Sequence, residues 1–312
     1  MNLTPGDVVL LLTNRLVETA ARPLSAGQFW DLVNRVGDVA RLPELSAAQL
    51  EQEFGVPHEI AERVPVLLGA MIAFAFERER LQESGVTLVS YFDVAFPSRL
   101  IEVLGRKSPA SLMIAGRIDL LNTVMRGVVG SRAASEESTE LAQVAARRAV
   151  ARSETIVSGL AKGIDQMAMG AALAEDAGVV GVPSEGLRRV ARQATVRSMV
   201  HEGRLCLVSP FGPDVPFSVG NAMARNKIVY GLSTSTLVVY SDKGKGGTWS
   251  GAEEALKGGF AQVDVWTGPG TGPGNRAIVD LGGRAVQTPD VLWEANFVPG
   301  RPTKPRQPEL FE

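Results

Sequence analysis

The sequence predicts an α/β fold, a doubly wound and mostly parallel sheet preceded by a small helical domain. From residue 127 onward, short runs rich in valine and isoleucine alternate with stretches of helical periodicity, the pattern of a parallel sheet covered on both faces. Before residue 85, apolar residues recur mainly at three- and four-residue spacing. The 312 residues are 45% apolar and 21% charged, which is typical of a globular protein large enough for two domains.

Residues 1–84 are predicted to form the helical domain, similar to a SAM or helix-hairpin bundle. Helices are expected at 25–36, 46–55 and 57–85. Ser25 and Ser46 stand where helix N-caps are needed, and Gly55 and Gly85 stand where helices end. Bundles of this size bind DNA or proteins, and a docking role is favoured for this one.

Residues 85–290 are predicted to form the sheet domain, with an extended lead-in over 85–122. In the lead-in, strand-like runs at 86–91 and 110–116 are joined by residues 96–109, which are expected to be extended. Further strands are expected at 127–130, 155–158, 178–182, 205–209, 236–241 and 262–266. Helices are expected around 138–152, 163–176, 187–201, 219–232, 249–258 and 275–282. The tail, 291–312, is rich in proline and charge and is predicted to be disordered.

Composition excludes several classes of protein. The net charge of −2 and the pI near 5.9 exclude a uniformly basic protein, so any contact to nucleic acid must come from a local cluster of cations. Cys206 is the single cysteine, which excludes an internal disulfide and fits a cytoplasmic location. His58 and His201 lie far apart in the sequence, and we predict neither a metal nor a cofactor. No apolar run reaches the roughly 20 residues of a membrane helix, so no membrane contact is expected.

Two predicted strands run directly into loops that combine glycine, a hydroxyl group and a cation. The first loop carries Gly130, Ser131 and Arg132, and the second carries Ser158, Gly159, Lys162 and Gly163. Ligands of parallel sheets bind at the carboxyl ends of the strands, where exposed amides and helix N-termini favour anions. Neither loop has the spacing of a dinucleotide-binding or Walker motif. We therefore predict phosphate-binding sites that lack the residues needed to break a bond.

Three later segments add polar and basic residues at predicted strand or helix ends. They contribute Arg225, Asn226 and Lys227, then Lys243 and Lys245, and then Asn275 and Arg276. Five such loops on one edge of the sheet would form a groove, with Arg132, Lys162 and Lys227 expected along a single trough that holds a charged backbone.

Four motifs resemble the DNA-processing protein A (DprA/Smf) family. They are "VGSR" (129–132), "IVSGLAKGID" (156–165), "ARNKIVYGLS" (224–233) and "GPGNRAIVDLGG" (272–283). The resemblance covers roughly residues 25–288, and it implies a Rossmann-like domain that binds single-stranded DNA in a basic groove, dimerises and hands the strand to the RecA recombinase. By that resemblance Arg132, Lys162, Arg225, Asn226 and Lys227 hold phosphates. Helix 219–232 and strand 236–241 are candidates for the dimer contact.

The sequence departs from the family pattern in the turn after the third strand. "VPSEGLRRVARQ" (182–193) replaces a glycine-rich turn, so this part of the groove is expected to be rebuilt. The following arginines, Arg188, Arg189, Arg192 and Arg197, either compensate for the missing turn or form an ordinary solvated helix face. The tail ends in "QPELF" (307–311), similar to peptides that dock on the bacterial sliding clamp. Gln307, Leu310 and Phe311 are the candidate anchors of such a contact.

A rival interpretation rests on "GGTWSGAEEAL" (246–256), which resembles the "GGxGTxxE" phrase of cytokinin-activating phosphoribohydrolases and of nucleotide sensors. In that case Glu253 or Glu254 would assist cleavage of an N-glycosidic bond while Arg132 holds the phosphate. Release of free base from a nucleoside monophosphate would distinguish an enzyme of this kind from a binding protein.

Overall fold

The computed structural model describes residues 3–132 and 134–293, and within these ranges nine strands form a single sheet. The strands are β1 (Val86–Ser90), β2 (Ser111–Gly116), β3 (Met125–Gly130), β4 (Thr155–Ser158), β5 (Val179–Gly181), β6 (Leu205–Ser209), β7 (Ser235–Tyr240), β8 (Gln262–Trp266) and β9 (Arg284–Val286). The helices before β4 are α1 (Pro5–Thr13), α2 (Ala26–Val36), α3 (Ala47–Gln52), α4 (His58–Leu68), α5 (Met71–Glu83), α6 (Ser98–Leu104) and α7 (Glu136–Val150). Those after β4 are α8 (Ile164–Ala174), α9 (Leu187–Ala191), α10 (Ala194–His201), α11 (Val219–Leu232), α12 (Gly246–Gly258) and α13 (Asn275–Asp280).

The order of the strands is β1-β2-β6-β5-β4-β3-β7-β8-β9. All pairs from β6 to β9 are parallel, whereas β1 and β2 run antiparallel at one end of the sheet. The order of the strands reverses between β3 and β7, because the chain crosses from β6 back to the side of β3 that β4 leaves open. This confirms the predicted doubly wound, mostly parallel sheet, and it places the topological switch point at the carboxyl ends of β3 and β7.

The N-terminal helices share a hydrophobic core with one face of the sheet. Leu12, Phe29 and Leu81 belong to the same buried cluster as Val128 of β3 and Leu141 of α7. The bundle is therefore packed on the sheet through a continuous apolar core. The apolar area buried between the N-terminal helices and the sheet stabilises both of them.

The helical boundaries in this region follow the caps. Ser25 and Ser46 both form capping boxes, as their positions predict. The single helix expected over 57–85 is instead two helices, since α4 ends at Leu68 and α5 begins at Met71. Gly69 and Ala70 form the turn between them, and α1 adds a helix at Pro5–Thr13 that we did not predict.

The lead-in is part of the sheet, and its middle is not extended. Residues 98–104 form α6, which contradicts the prediction for 96–109. Leu100, Val103 and Leu104 have helical spacing and are buried in the same apolar cluster as Ile228 of α11. A helix places these three side chains on one face, where they pack into the apolar cluster together. The segment therefore folds as a helix.

The apolar side of α11 and the strand β7 are internal to the chain. Ile228, Val229 and Leu232 are buried, and β7 pairs with β3 on one side and β8 on the other. The predicted contribution to a dimer contact is therefore wrong for β7 and for the apolar residues in the C-terminal half of α11, because both are buried within the chain.

Packing at the C-terminal end continues to Trp293, three residues beyond the predicted sheet domain. The Trp293 indole is fully buried and donates a 3.0 Å hydrogen bond to the Ala145 carbonyl, while the Arg126 guanidinium lies 5.6 Å from the ring centroid. Gln307, Leu310 and Phe311 fall outside the described residues, so the sliding-clamp contact stays a prediction. Within the described ranges, none of the helices has the length and apolarity needed to cross a membrane.

Candidate nucleic-acid interface

Two adjoining cavities lie at the carboxyl ends of the central strands. The first, named here the switch-point cavity, has a volume of 540 Å³ and is lined by residues from 130–132, 222–226 and 245–250. The second, the α8 cavity, has a volume of 570 Å³ and lies between α8 and residues 183–199. Arg132, Ala161, Phe217 and Arg225 line both cavities. The two cavities thus form one continuous groove over the ends of β3, β4, β5 and β7.

Arg132 and Lys162 are exposed cations on the groove. Arg132 lines both cavities and Lys162 lines the α8 cavity. Within the described part of the chain, neither side chain has an ion-pair partner. A cation without a neighbouring carboxylate can hold the phosphate of a ligand at the least electrostatic cost.

Two glycines bring these cations together through close packing. A Cβ on Gly130 would lie 2.6 Å from Ile164 of α8, and Gly163 has a φ of +85°. A Cβ on Gly163 would also lie 2.9 Å from the Arg132 Cα atom. Larger residues would separate the loop after β3 from the start of α8, so these glycines set the spacing between Arg132 and Lys162.

Other residues of the two glycine loops form hydrogen bonds within the protein. The Ser131 amide donates a 2.9 Å hydrogen bond to the Tyr240 carbonyl, so this amide is not the exposed donor that we predicted. Ser158 is fully buried, and its hydroxyl donates a 2.6 Å hydrogen bond to the Val128 carbonyl. The Gly159 amide donates a 3.1 Å hydrogen bond to Asp165. These hydrogen bonds join β3 to β7 and to β4, and they join the loop after β4 to α8, beneath the groove.

Arg225 is a buried brace beneath the groove. Only 6% of this residue is exposed, and its guanidinium donates to the carbonyls of Gly159 and Val182 at the ends of β4 and β5. Its Nη2 atom lies 3.9 Å from the Asp165 carboxylate. Burial lowers the pKa of Arg225 and raises that of Asp165, and the attraction between the two charges opposes both shifts.

Asn226 connects Arg225 to α12 through two further hydrogen bonds. Its side-chain oxygen accepts a 3.0 Å hydrogen bond from Arg225, and its amide nitrogen donates a 2.9 Å bond to the Gly247 carbonyl. Both ends of the amide therefore hold protein groups, which fixes the first turn of α12 at the rim of the switch-point cavity.

Lys227 does not share a trough with Arg132 and Lys162. Its Nζ atom lies 3.1 Å from Glu254 of α12, and it lines neither cavity. The expectation of one trough containing all three cations is therefore wrong for Lys227. Lys227 directly follows Asn226 in α11, and its side chain lies on the face of α11 that packs against α12.

The two candidate acids of the rival interpretation also lie away from the groove. Glu254 pairs with both Lys227 and Lys107, and Glu253 pairs with Lys257 at 2.7 Å. Neither glutamate lines either cavity. An acid held outside the ligand cavity cannot transfer a proton to a leaving base there.

The remaining predicted residues divide between the groove, the core and the surface. Lys245 is exposed and lines the switch-point cavity, whereas Lys243 is exposed but lines neither cavity. Asn275 is fully buried and holds the ends of β7 and β8 through the Ser241 amide and the carbonyls of Val239 and Trp266, at 2.8 to 2.9 Å. Arg276 is a surface residue that pairs with Asp280 at 3.5 Å.

Sequence reasoning missed several groove residues. Phe217, Val219 and Met223 are partly exposed apolar side chains that line the switch-point cavity, and the Tyr230 ring lies on the same cavity. A single apolar residue just before a helix or in its first turns carries no sequence signal that separates a cavity wall from a core position. The segment 183–193 does line the α8 cavity, but Arg188 pairs with Glu77 and Asp214 and so does not replace the missing glycine-rich turn as a free cation.

The matching family model is described as DNA recombination-mediator protein A, and it covers residues 87–295. The chain belongs to this family. The resemblance found in the sequence motifs is thereby confirmed.

Relatives and solved structures agree with this membership. Protein Smf of Escherichia coli is 32% identical over 191 residues, which are 60% of this chain and 50% of Smf, so the chain spans about half the length of that relative. DprA of Streptococcus pneumoniae is 31% identical over 215 residues, covering 67% of this chain and 74% of DprA. The X-ray structure of Streptococcus pneumoniae DprA superimposes with a TM-score of 0.73 at 25% identity, covering 96% of this chain and 100% of that one.

A structure of Helicobacter pylori DprA, described by its unique single-stranded DNA binding mode, has a TM-score of 0.54 and 21% identity. That match covers 66% of this chain and 92% of the Helicobacter pylori chain, and at this identity it shows the shared fold alone.

Proposed function

We propose that this protein binds single-stranded DNA along the groove and holds its phosphates with Arg132, Lys162 and Lys245. The observation that carries the proposal is the set of exposed cations at the carboxyl ends of adjacent parallel strands. Polyanions bind such surfaces largely through the release of condensed counterions, which needs charge but no base-specific contact.

The helices that begin at the groove support the same proposal. No side chain caps α8 at Gly163 or α12 at Lys245, whereas Ser135 caps α7 and Ser218 caps α11. Uncapped first-turn amides and the positive end of the helix dipole favour an anion. Two such helix starts beside exposed cations suit successive phosphates of one strand.

The acids on the groove favour binding over bond cleavage. Asp165 is buried beside Arg225, Glu185 pairs with Arg189, and Asp242 is the third acid that lines the two cavities. Histidine and cysteine do not occur among the lining residues of either cavity. We propose that the bound strand leaves the groove chemically unchanged.

The experiment measures the anisotropy of a labelled single-stranded oligonucleotide over a range of salt concentrations. We expect affinity to fall steeply with salt, and Arg132→Ala or Lys162→Ala to weaken binding at low salt. Arg276→Ala is the matched control, because Arg276 is an exposed cation paired with Asp280 away from the groove. Failure to bind at low salt, or equal losses in the control, would overturn the proposal. Release of free base from nucleoside monophosphates would instead indicate a hydrolase.

We also propose that the bound strand passes to the RecA recombinase and that the chain forms a homodimer. A groove that holds a strand without altering it suits delivery of that strand to a second protein. The rate of RecA assembly on an oligonucleotide should rise with this protein and not with Arg132→Ala, and sedimentation should give twice the mass of the chain. An unchanged assembly rate would overturn delivery, and a monomer at all concentrations would overturn dimerisation.

A further inference from the structure

The switch-point cavity contains a helix N-terminus with no protein cap. The 13-residue helix α12 begins at Gly246, and Lys245 at the N-cap position makes no side-chain capping bond. Thr248 and Ser250 of the first turns line the cavity with Lys245, and Arg132 of the loop after β3 lines it too. Amides, two hydroxyl groups and two cations thus surround one space, which is a set of donors suited to several oxygens of one phosphate.

A buried hydroxyl on the same cavity independently indicates a ligand. Tyr230 is 1% exposed and lines the cavity, and its hydroxyl has no hydrogen-bond partner among the described residues. Buried hydroxyl groups are nearly always paired, since desolvation without a partner is costly. Burial also raises the pKa of Tyr230, so the group stays protonated and can donate to a ligand oxygen.

We propose that the switch-point cavity is a binding site for a nucleotide phosphomonoester, with its terminal phosphate at the start of α12. A terminal phosphate offers three oxygens and a charge of about −1.5 to −2 near neutral pH, whereas an internal diester phosphate offers two free oxygens and one charge. The volume of 540 Å³ lies within the range of small-ligand sites, and Phe217 and Met223 provide apolar surface for a base. The source of the ligand is a free nucleotide or the 5′ end of a DNA strand, and the second source rests on the proposed function.

The first experiment titrates the protein with a deoxynucleoside 5′-monophosphate, the matching nucleoside and inorganic phosphate by calorimetry. We expect the monophosphate to bind at least about tenfold more tightly than either of the others, because charge-assisted hydrogen bonds and the base surface act together. Equal affinity for the nucleoside and the monophosphate would overturn a phosphate site. Equal affinity for inorganic phosphate would overturn the nucleotide class.

Variants place the ligand in the cavity. The double variant Lys245→Ala/Thr248→Val should weaken monophosphate binding by about tenfold or more, since it removes a cation and a hydroxyl. Lys243→Ala is the matched control, an exposed lysine on the same loop that lines neither cavity, and it should alter affinity by less than about twofold. Equal effects of the two variants would overturn the placement.

Tyr230→Phe tests the buried hydroxyl separately from folding. Removing an unpaired buried hydroxyl should leave the Tm of the free protein equal or higher, while a ligand that accepts its hydrogen bond should bind less tightly. A lower Tm with unchanged monophosphate affinity would contradict the assignment of this hydroxyl to the ligand.

Oligonucleotides of equal length with a 5′-phosphate or a 5′-hydroxyl end distinguish the two sources. Tighter binding of the phosphorylated strand assigns the site to strand ends, and equal binding with retained monophosphate affinity assigns it to free nucleotides. Lys162→Ala, in the α8 cavity, should weaken strand binding and spare the monophosphate. If the protein binds strands but neither monophosphates nor 5′-phosphorylated ends preferentially, this inference fails while the proposed function stands.

Discussion

The loop after β3 and the helix α11 each bring one arginine to the groove, and the two arginines are held in opposite ways. Arg132 is exposed, lines both cavities and has no ion-pair partner among the described residues. Arg225 lines both cavities as well, yet it is 6% exposed and donates to the carbonyls of Gly159 and Val182. One arginine is available to a ligand, and the other holds two strand ends in place.

This contrast extends to the other predicted residues of the groove. Lys162 and Lys245 resemble Arg132, because they are exposed on a cavity, whereas Asn275 resembles Arg225, because its side chain is used within the core. The groove therefore carries two classes of polar residue, exposed cations that a ligand can reach and buried groups that fix the loops. Five substitutions separate these classes.

The largest effect is expected for Arg225→Ala. Loss of the guanidinium leaves two carbonyls without their donor and Asp165 buried without its cation, so the free energy of unfolding should fall by about 3 kcal/mol or more. Urea denaturation measures this change. The matched Arg132→Ala variant should unfold near the wild-type midpoint. Equal loss of stability in both variants would contradict the claim that only Arg225 has a structural role.

Asn275→Ala should cost about 2 kcal/mol of unfolding free energy, because one amide satisfies three backbone groups at the ends of β7 and β8. The affinity of the folded fraction for single-stranded oligonucleotide should remain unchanged. Denaturation and anisotropy on the same sample test both statements. A stable variant that no longer binds would place Asn275 among the ligand contacts instead.

Arg132→Ala and Lys162→Ala should each leave the unfolding free energy within about 0.5 kcal/mol of the wild type. Each should weaken oligonucleotide binding by roughly tenfold and reduce the slope of log affinity against log salt by about 1, because one phosphate contact is lost. An unaltered slope would mean that these cations do not contact phosphates.

The smallest effect is expected for Lys227→Ala. The residue pairs with Glu254 at 3.1 Å on the α12 side, with both side chains partly exposed, so its loss should cost about 0.5 kcal/mol. Oligonucleotide affinity and its salt slope should match the wild type. A tenfold loss of affinity, like that expected for Arg132→Ala, would mean that Lys227 contacts the oligonucleotide. It would contradict the conclusion that Lys227 lies outside the groove.

Most of the architecture was predictable from local patterns. The alternation of β-branched runs with helical periodicity indicates each parallel strand from β3 to β8, since both signals depend on neighbouring residues alone. The helix α6 was missed, because a short apolar segment has the same composition in either conformation. The breaks between α4 and α5, and between α9 and α10 within the single helix predicted over 187–201, were missed because helical periodicity continues across a short turn. The three-residue β9 was missed too, since its state depends on pairing with β8.

The site was predictable in its location and only partly in its residues. Glycine, serine and a cation after successive strands pointed to the carboxyl edge of the sheet, and the structure places Arg132, Lys162 and Lys245 on the groove at that edge. The roles of Ser158, Lys227 and Asn275 could not be inferred in this way. Each has the chemistry of a ligand contact, but its partner comes from a distant part of the chain.

The sequence by itself determined the alternating α/β elements, the family and the edge of the sheet that collects charge, because these depend on periodicity and on motifs within single segments. Only the tertiary structure decided which cations face the groove and which groups brace it. The physical reason is desolvation: burial obliges a polar side chain to find a partner nearby, and that partner is known only once the segments are packed together.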